Sequence, residues 1–383
     1  MRFEFATSTH IIFGPDTIRD VAPLAAEMGK CAFVVTGQSL ERAGPLLKDI
    51  NKQGIEYTTF SVIGEPTTTI AKKGVDKARR AKSDLVIGIG GGSAMDAGKV
   101  IAAMLTNTGE LEDYLEVVGH GKPLIQSPVP YIAIPTTAGT GAEVTRNTVL
   151  GVPEHQVKVS LRSPLLVPRL TVVDPVLTHS MPPFITASTG LDALTQLIEA
   201  YVSHKANPLT DSICREGLRR AGRSLRQAYE NGSNSSARED MAMASLFSGL
   251  ALANAKLGAV HGLAGPLGGM ISASHGTICA RLLPYVMEAN VQALQNRAPD
   301  SQALARYGEI AQQLNGTKAT TKDGVEWVKN ICLALKVPPL SEFGLKETDF
   351  STVVEKSQKS SSMKGNPIPL TDDELMAILK KSH

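Results

Sequence analysis

The sequence predicts an open parallel α/β sheet leading into an all-helical domain. Three observations carry that expectation. Short β-branched runs alternate with helical patterns through the first half, and a run of glycines follows one of them directly. After Asp174-Pro175 strand-like runs all but vanish, and helical periodicity takes over. At 383 residues the chain is too long for one compact domain and suits two, placed at 1–180 and 181–383 with the boundary near 175–185.

The elements follow in order. Cys31–Thr36 (CAFVVT) has the length and composition of a buried strand, which Gly37 ends. Ser39 to Gln53 fits a helix with Leu40, Leu46, Leu47 and Ile50 on its apolar side, stopped by Gly54. Glu56–Phe60 reads as a second strand and Thr69–Ala81 as a helix with Lys and Arg outward. Asp84–Ile89 is a third strand and Tyr131–Ile134 a fourth, closed by Pro135. Strands joined this way by helices are parallel. Farther on, Ala237–Ala255 is helical with small residues suited to close packing, as are Ala289–Leu314 and Asp323–Leu335, while Asn231–Ser236 is a solvent loop. Open α/β sheets bind ligands outside the carboxyl ends of their strands, so the expected site is the cleft between the domains.

Composition narrows the function. Hydrophobic residues at 42% and charged residues at 20% exclude a disordered chain. A net charge of +2 gives no pull towards nucleic acid, and 4% aromatics with the single Trp327 argue against base stacking. Cys31, Cys214, Cys279 and Cys332 form no CxxC pair, which favours reduced thiols. The N-terminus lacks the unbroken apolar core of a signal peptide. The longest uncharged stretch, Leu257–Ala280, holds six glycines and Pro266, a poor membrane span. A soluble, cytoplasmic protein without nucleic-acid or membrane partners is expected.

Gly90-Gly91-Gly92-Ser93 follows the third strand, and Ala94-Met95-Asp96 opens a helix. Glycines let the backbone approach a phosphate, and the helix N-terminus beyond them offers unpaired N–H groups. This is a pyrophosphate cradle, though neither GxGxxG nor a Walker A loop; a plain tight turn is the bland alternative. Pro135 to Glu143 (PTTAGTGAE) supplies hydroxyls and glycines after the fourth strand, suited to ribose and phosphate or else to capping a helix. His261 and His275 lie in the uncharged stretch, where imidazoles need partners and make good metal ligands. Asp192 and Gln196 stand four apart on one helix face, with Ser188 or Thr189 as cap. Asp192 then either joins the histidines or stabilises its helix N-terminus.

GGGSAMDAGK (Gly90–Lys99), PTTAGTGAEVT (Pro135–Thr145), TGLDALTQLIEAYVS (Thr189–Ser203) and HGTICARLLP (His275–Pro284) together resemble the iron-containing (group III) alcohol dehydrogenase family, over nearly the whole chain. The resemblance implies a dinucleotide-binding α/β domain and an all-α domain, the architecture shared with dehydroquinate synthases. It implies that Gly90, Gly91, Gly92, Ser93 and Asp96 hold the pyrophosphate region of NAD(P). Thr136, Thr137, Thr140, Asn147 and Lys158 would contact ribose and nicotinamide. Asp192, His261 and His275 match the catalytic metal ligands for iron or zinc, and the assembly implied is a homodimer. The chemistry implied is hydride transfer between a small alcohol or aldehyde and the nicotinamide.

Three positions depart from the family pattern. Gln196 stands where relatives have a second helix histidine, so it would be a weaker fourth ligand. Gly265 replaces another histidine, leaving a roomier, less polar pocket. Gly37, with Gln38, Ser39 and Arg42, replaces an aspartate that repels the 2′-phosphate, so NADP(H) is expected to be accepted. Three rivals follow: a metal-independent reductase similar to maleylacetate reductases, a lyase similar to 3-dehydroquinate synthase, and a cofactor-binding relative without catalysis. The lyase would need a basic phosphate cluster, for which Arg219, Arg220, Arg223 and Arg226 are too regular.

Overall fold

The structure, a computed structural model, describes residues 2–155 and 157–383. The chain divides into two compact units. One holds Ala6–Thr137 and Gly141–His179; the other holds Ser180–His383 with Ala138–Thr140 and the N-terminal segment up to Phe5.

The first unit is built on a parallel sheet of β1 (His10–Phe13), β2 (Cys31–Thr36), β3 (Glu56–Ser61), β4 (Leu85–Gly90), β5 (Tyr131–Pro135) and β8 (Leu170–Val173), in the order β1-β8-β5-β4-β2-β3. Between β5 and β8 the chain forms an antiparallel ribbon, β6 (Asn147–Val152) with β7 (Val157–Arg162). Helices α1 (Val21–Ala26), α2 (Gly44–Lys52), α3 (Thr68–Arg80) and α4 (Gly92–Met104) complete the unit. Side chains alternate across the sheet. Phe33, Val35 and Val86 pack with Val75, Val100 and Ile101 on one face, while Val34, Ile87 and Ile132 pack with Val21, Leu46 and Ile50 on the other. Apolar residues on both faces explain why β2 and β4 read as continuous hydrophobic runs.

The four expected strands are present, but the sequence reading missed β1, β8 and the ribbon. β1 and β8 are four residues each, too short for periodicity to register. The ribbon does alternate, with every second residue of β6 buried, so its signal was there to be found. The helix expected from Ser39 starts only at Gly44, where Pro45 fixes the first turn; Leu40 is exposed instead of packed.

Two ionisable side chains are buried inside this unit. Lys99 on α4 donates to Thr145 O (2.9 Å), Thr145 Oγ1 (2.8 Å) and Asn147 O (2.9 Å), tying the approach to β6 onto the helix. Burial lowers its pKa to about 8, against the pull of Asp96 and Glu143. Burial likewise pushes the Glu143 carboxyl up to about 7, opposed by its backbone N–H and by Lys99. A raised carboxyl stabilises the fold below its unfolded value of 4.5, and that contribution is lost as pH rises through about 7. Glu143→Gln removes the effect. The variant should gain on the parent by on the order of 2 kcal/mol across that window in denaturant titrations, whereas parallel pH profiles would contradict it.

The second unit is helical among the described residues: α5 (Pro183–Val202), α6 (Pro208–Glu230), α7 (Ser235–Asn254), α8 (Ala259–Met270), α9 (His275–Arg297), α10 (Gln302–Asn315), α11 (Thr321–Ala334), α12 (Phe350–Gln358) and α13 (Asp372–Ser382). α5 is its axis, with every residue from Gly190 to Val202 buried. A helix apolar nearly all round belongs inside a bundle, and its few polar residues then require partners. The single helix expected over Ala289–Leu314 is two, broken at Pro299-Asp300, with Ser301 capping α10. The loop expected over Asn231–Ser236 is shorter, because Asn234 caps α7 through the Ala237 N–H. No single helix among the described residues is long and apolar enough to cross a membrane; α7 and α8 pass only as a pair bent by 96°.

Candidate active site

The loops after β2, β4 and β5 meet at the carboxyl edge of the sheet. Strand register sets Thr36 beside Ile89 and Gly90 beside Pro135, and the Thr136 N–H donates to Gly90 O at 2.8 Å. β3 lies on one side of β2 and β4 on the other, so the topological switch point falls between β2 and β4, where a nucleotide is bound in such sheets. Gly91 is the N-cap of α4 and provides no side-chain cap, leaving the Gly92 and Ser93 N–H groups for an anion. Gly37 follows β2, with Gln38 and Ser39 exposed.

Other residues expected at the nucleotide have protein partners. The Asp96 carboxylate accepts from the Val149 N–H at 3.2 Å, binding α4 to the ribbon. Lys158, on β7, pairs with Glu65 at 2.5 Å. Asn147 opens β6 and gives its carbonyl to Lys99. Thr136 is buried and Thr137 follows it, whereas Thr140 falls in the segment Ala138–Thr140 that packs with the helical unit.

In the helical unit, Asp192, His261, His275 and Cys279 bring four ligand atoms within 4.8 Å of one another. Asp192 lies mid-helix on α5, not near an N-terminus. Pro182 occupies the cap, and the Ser188 and Thr189 hydroxyls donate back to Ile185 O, so neither caps the helix as expected. The reading of Asp192 as a helix-end stabiliser falls with that placement. His261 sits in the first turn of α8, whose N–H groups are held by two side chains: Val260 donates to Glu199 Oε1 (2.7 Å) and Ala259 to Asn366 Oδ1 (3.0 Å). His275 is the first residue of α9. A Cβ on Gly276 would lie 2.5 Å from Ser188 O and 3.5 Å from Asp192 Cβ, so glycine there lets α9 close on α5. His261 is buried, whereas the His275 side chain is 40% exposed.

The electrostatics hold this cluster together. Glu199 Oε2 accepts from His261 Nδ1 at 2.6 Å, which fixes the tautomer and turns Nε2 towards Asp192 Oδ1, 3.5 Å away. His275 Nε2 is 3.9 Å from the same oxygen. Asp192 Oδ1 is buried without a hydrogen-bond partner, a costly state for a carboxylate with no cation. Burial raises the Asp192 carboxyl, yet His261 and His275 outweigh that and hold it below the usual range. The Cys279 and Asp192 charges raise His275, while burial lowers it. Two imidazoles, a carboxylate and a thiol around one orphaned oxygen fit a divalent metal.

Gln196 is not turned into the cluster as a free ligand: its Oε1 lies 2.7 Å from Ser248 Oγ. Sequence reasoning missed Glu199 and Cys279. Both carried a signal, since Glu199 is seven residues after Asp192 on the same face and Cys279 is one turn after His275. A Cβ on Gly265 would meet nothing within 4 Å, so space is open beside α8. The arginines of α6 are paired: Arg219 and Arg220 with Glu216, Arg220 and Arg223 with Asp240, and Arg226 with Glu230. They form no phosphate cluster, which removes support for the lyase. Glu199→Gln should weaken metal binding about 10–100-fold in chelator competition, and unchanged affinity would remove its orienting role.

A parallel-sheet unit with a glycine-lined edge suited to a nucleotide, followed by a helical unit with a metal-type donor cluster, defines the class: a two-unit nucleotide- and metal-binding fold. The model of the iron-containing alcohol dehydrogenases matches residues 8–175, and that of the Fe-containing alcohol dehydrogenase C-terminal region matches 186–383. The 1,3-propanediol dehydrogenase of Klebsiella pneumoniae is 35% identical over 99% of this chain and 98% of its own. Alcohol dehydrogenase 4 of Saccharomyces cerevisiae is 37% identical over 92% and 91%. The crystal structure of a 1,3-propanediol oxidoreductase superposes with a TM-score of 0.92 at 34% identity, covering all of both chains. This chain belongs to the iron-containing alcohol dehydrogenase family, whose enzymes act on CH–OH groups.

Proposed function

We propose that the protein reversibly transfers a hydride between a small polar alcohol or aldehyde and a nicotinamide nucleotide, with a divalent metal held by Asp192, His261 and His275. The orphaned Asp192 Oδ1 beside two imidazoles carries the reading. When bound, the metal supplies Lewis acidity to the substrate oxygen. The chain's residues do the rest. Glu199 keeps the His261 Nε2 lone pair facing the cluster. Gly90, Gly91, Gly92 and Ser93 bind the pyrophosphate with backbone N–H groups at the α4 N-terminus. Thr136, Thr137 and Thr140 contact ribose and nicotinamide. Asp96 and Lys158 act through the ribbon that they fasten, and Asn147 stands at its start.

Relatives named for 1,3-propanediol, long-chain alcohols, choline and methanol all lie between 30% and 35% identity, so kinship selects no substrate among them. The open space at Gly265 leaves room for a larger substrate or for water. At the adenosine end, nothing lies within 4 Å of a Cβ on Gly37, and no acidic side chain occupies positions 37–39, so the 2′-phosphate of NADP(H) meets no carboxylate there. The reading includes a homodimer and a reducing, cytoplasmic setting, in keeping with four free cysteines. The test is reduction of a panel of small aldehydes with NADPH and NADH. Turnover with NADPH at a kcat/KM within about tenfold of NADH is expected. No turnover with either coenzyme would contradict the reading.

A further inference from the structure

We propose that Cys279 is the fourth protein ligand of the metal, filling the place that Gln196 leaves; the inference rests on the metal-assisted reading above. Bonds of about 2.0–2.3 Å in a tetrahedral site put ligand atoms about 3.3–3.7 Å apart. Cys279 Sγ is 3.6 Å from His275 Nε2 and 3.8 Å from His261 Nε2, while His261 Nε2 is 3.5 Å from Asp192 Oδ1. With 3.9 Å from His275 Nε2 to Asp192 Oδ1, these four separations lie at or just above the edge lengths of such a site. Cys279 is fully buried, one turn along α9 from His275, so the helix aims both side chains at the same point. Its sulfur contacts metal-ligand nitrogens, unlike Cys332, whose thiol donates to the Ala280 carbonyl. Gln196, the alternative, offers only a neutral amide oxygen and spends it on Ser248.

The substitution changes the chemistry of the site. A thiolate is softer than imidazole or amide oxygen, which moves the preference towards zinc or cobalt and away from magnesium or manganese. With Asp192 it supplies two negative charges to a dication, so the metal and its four ligands sum to zero, leaving the Glu199 carboxylate behind His261.

The full-length chain, stripped of metal and loaded with one equivalent of cobalt(II), should show a near-ultraviolet thiolate-to-cobalt charge-transfer band. The band should persist in Gln196→Ala and vanish in Cys279→Ser, with cobalt affinity lowered about tenfold or more. X-ray absorption of the zinc-loaded parent needs no variant and should show one sulfur scatterer at about 2.3 Å. Bound cobalt without the band, a band that survives Cys279→Ser, a zinc shell without sulfur, or no metal uptake would each overturn the proposal. Aldehyde turnover by the same cobalt protein separates the two claims. Turnover without the band removes Cys279 from the site and leaves the dehydrogenase reading standing, whereas loss of turnover with the band present does the reverse.

Discussion

Asp192→Ala should leave the chain unable to retain metal and lower kcat/KM for aldehyde reduction on the order of a thousandfold. A bound metal stabilises charge developing on the substrate oxygen by several kcal/mol, and about 1.4 kcal/mol corresponds to each factor of ten. Asp192 is the carboxylate of the donor cluster, and both imidazoles face its Oδ1. Asp192→Asn is the sharper form of the test. It preserves shape and packing on α5 but removes the charge, so it should fold as the parent does and still lose metal. Thermal unfolding and metal content measured together separate the two effects. Full metal retention by the Asn variant would contradict the role given to the carboxylate.

Lys99→Met should destabilise the nucleotide-binding unit by about 2–4 kcal/mol. The substitution keeps the aliphatic stem but strips the ammonium from Thr145 O, Thr145 Oγ1 and Asn147 O, of which Asn147 O keeps only a long bond from Thr145 Oγ1 at 3.4 Å. Each buried acceptor left unsatisfied costs about 1–3 kcal/mol. Burying an ammonium is itself costly, as the lowered pKa records, so part of the loss is returned. The sign follows from the pKa of about 8 against 10.5. The penalty for the buried charge is fully present below about pH 8 and fades as pH rises to 10.5. The variant's deficit should therefore be larger at pH 10 than at pH 7, by denaturant unfolding followed through a probe in this unit. A variant as stable as the parent at both values would show that the three hydrogen bonds contribute nothing net.

Much of the architecture was legible because it rests on local signals. CAFVVT and DLVIGI are apolar on both faces of a covered parallel sheet, and the glycines that end β4 could be read as an anion cradle before the helix was seen. The same approach failed where the signal was short or the partner distant. β1 and β8 are too brief to show periodicity, and the α9–α10 break needed more weight on Pro299. At the site, Asp192, His261 and His275 came from residue type and family likeness. Their convergence depends on Gly276 letting α9 close on α5, a fact of packing invisible to spacing. Glu199 was missed because it gains meaning only beside His261, 62 positions away, and Cys279 because a cysteine outside any CxxC pair reads as a plain buried thiol although His275 is one turn before it. Asp96 and Lys158 were placed at the nucleotide by likeness alone, and packing adds what likeness could not show, that each also fastens the ribbon.

The central claim is that Asp192, His261 and His275, with Cys279, hold a metal in this chain. Its most direct test is the metal content of protein purified without added metal or chelator, by elemental mass spectrometry, beside the Asp192→Asn variant. Close to one equivalent of zinc or iron per parent chain is expected, and almost none in the variant. A parent that stays empty even after zinc, cobalt and iron are offered back would contradict it.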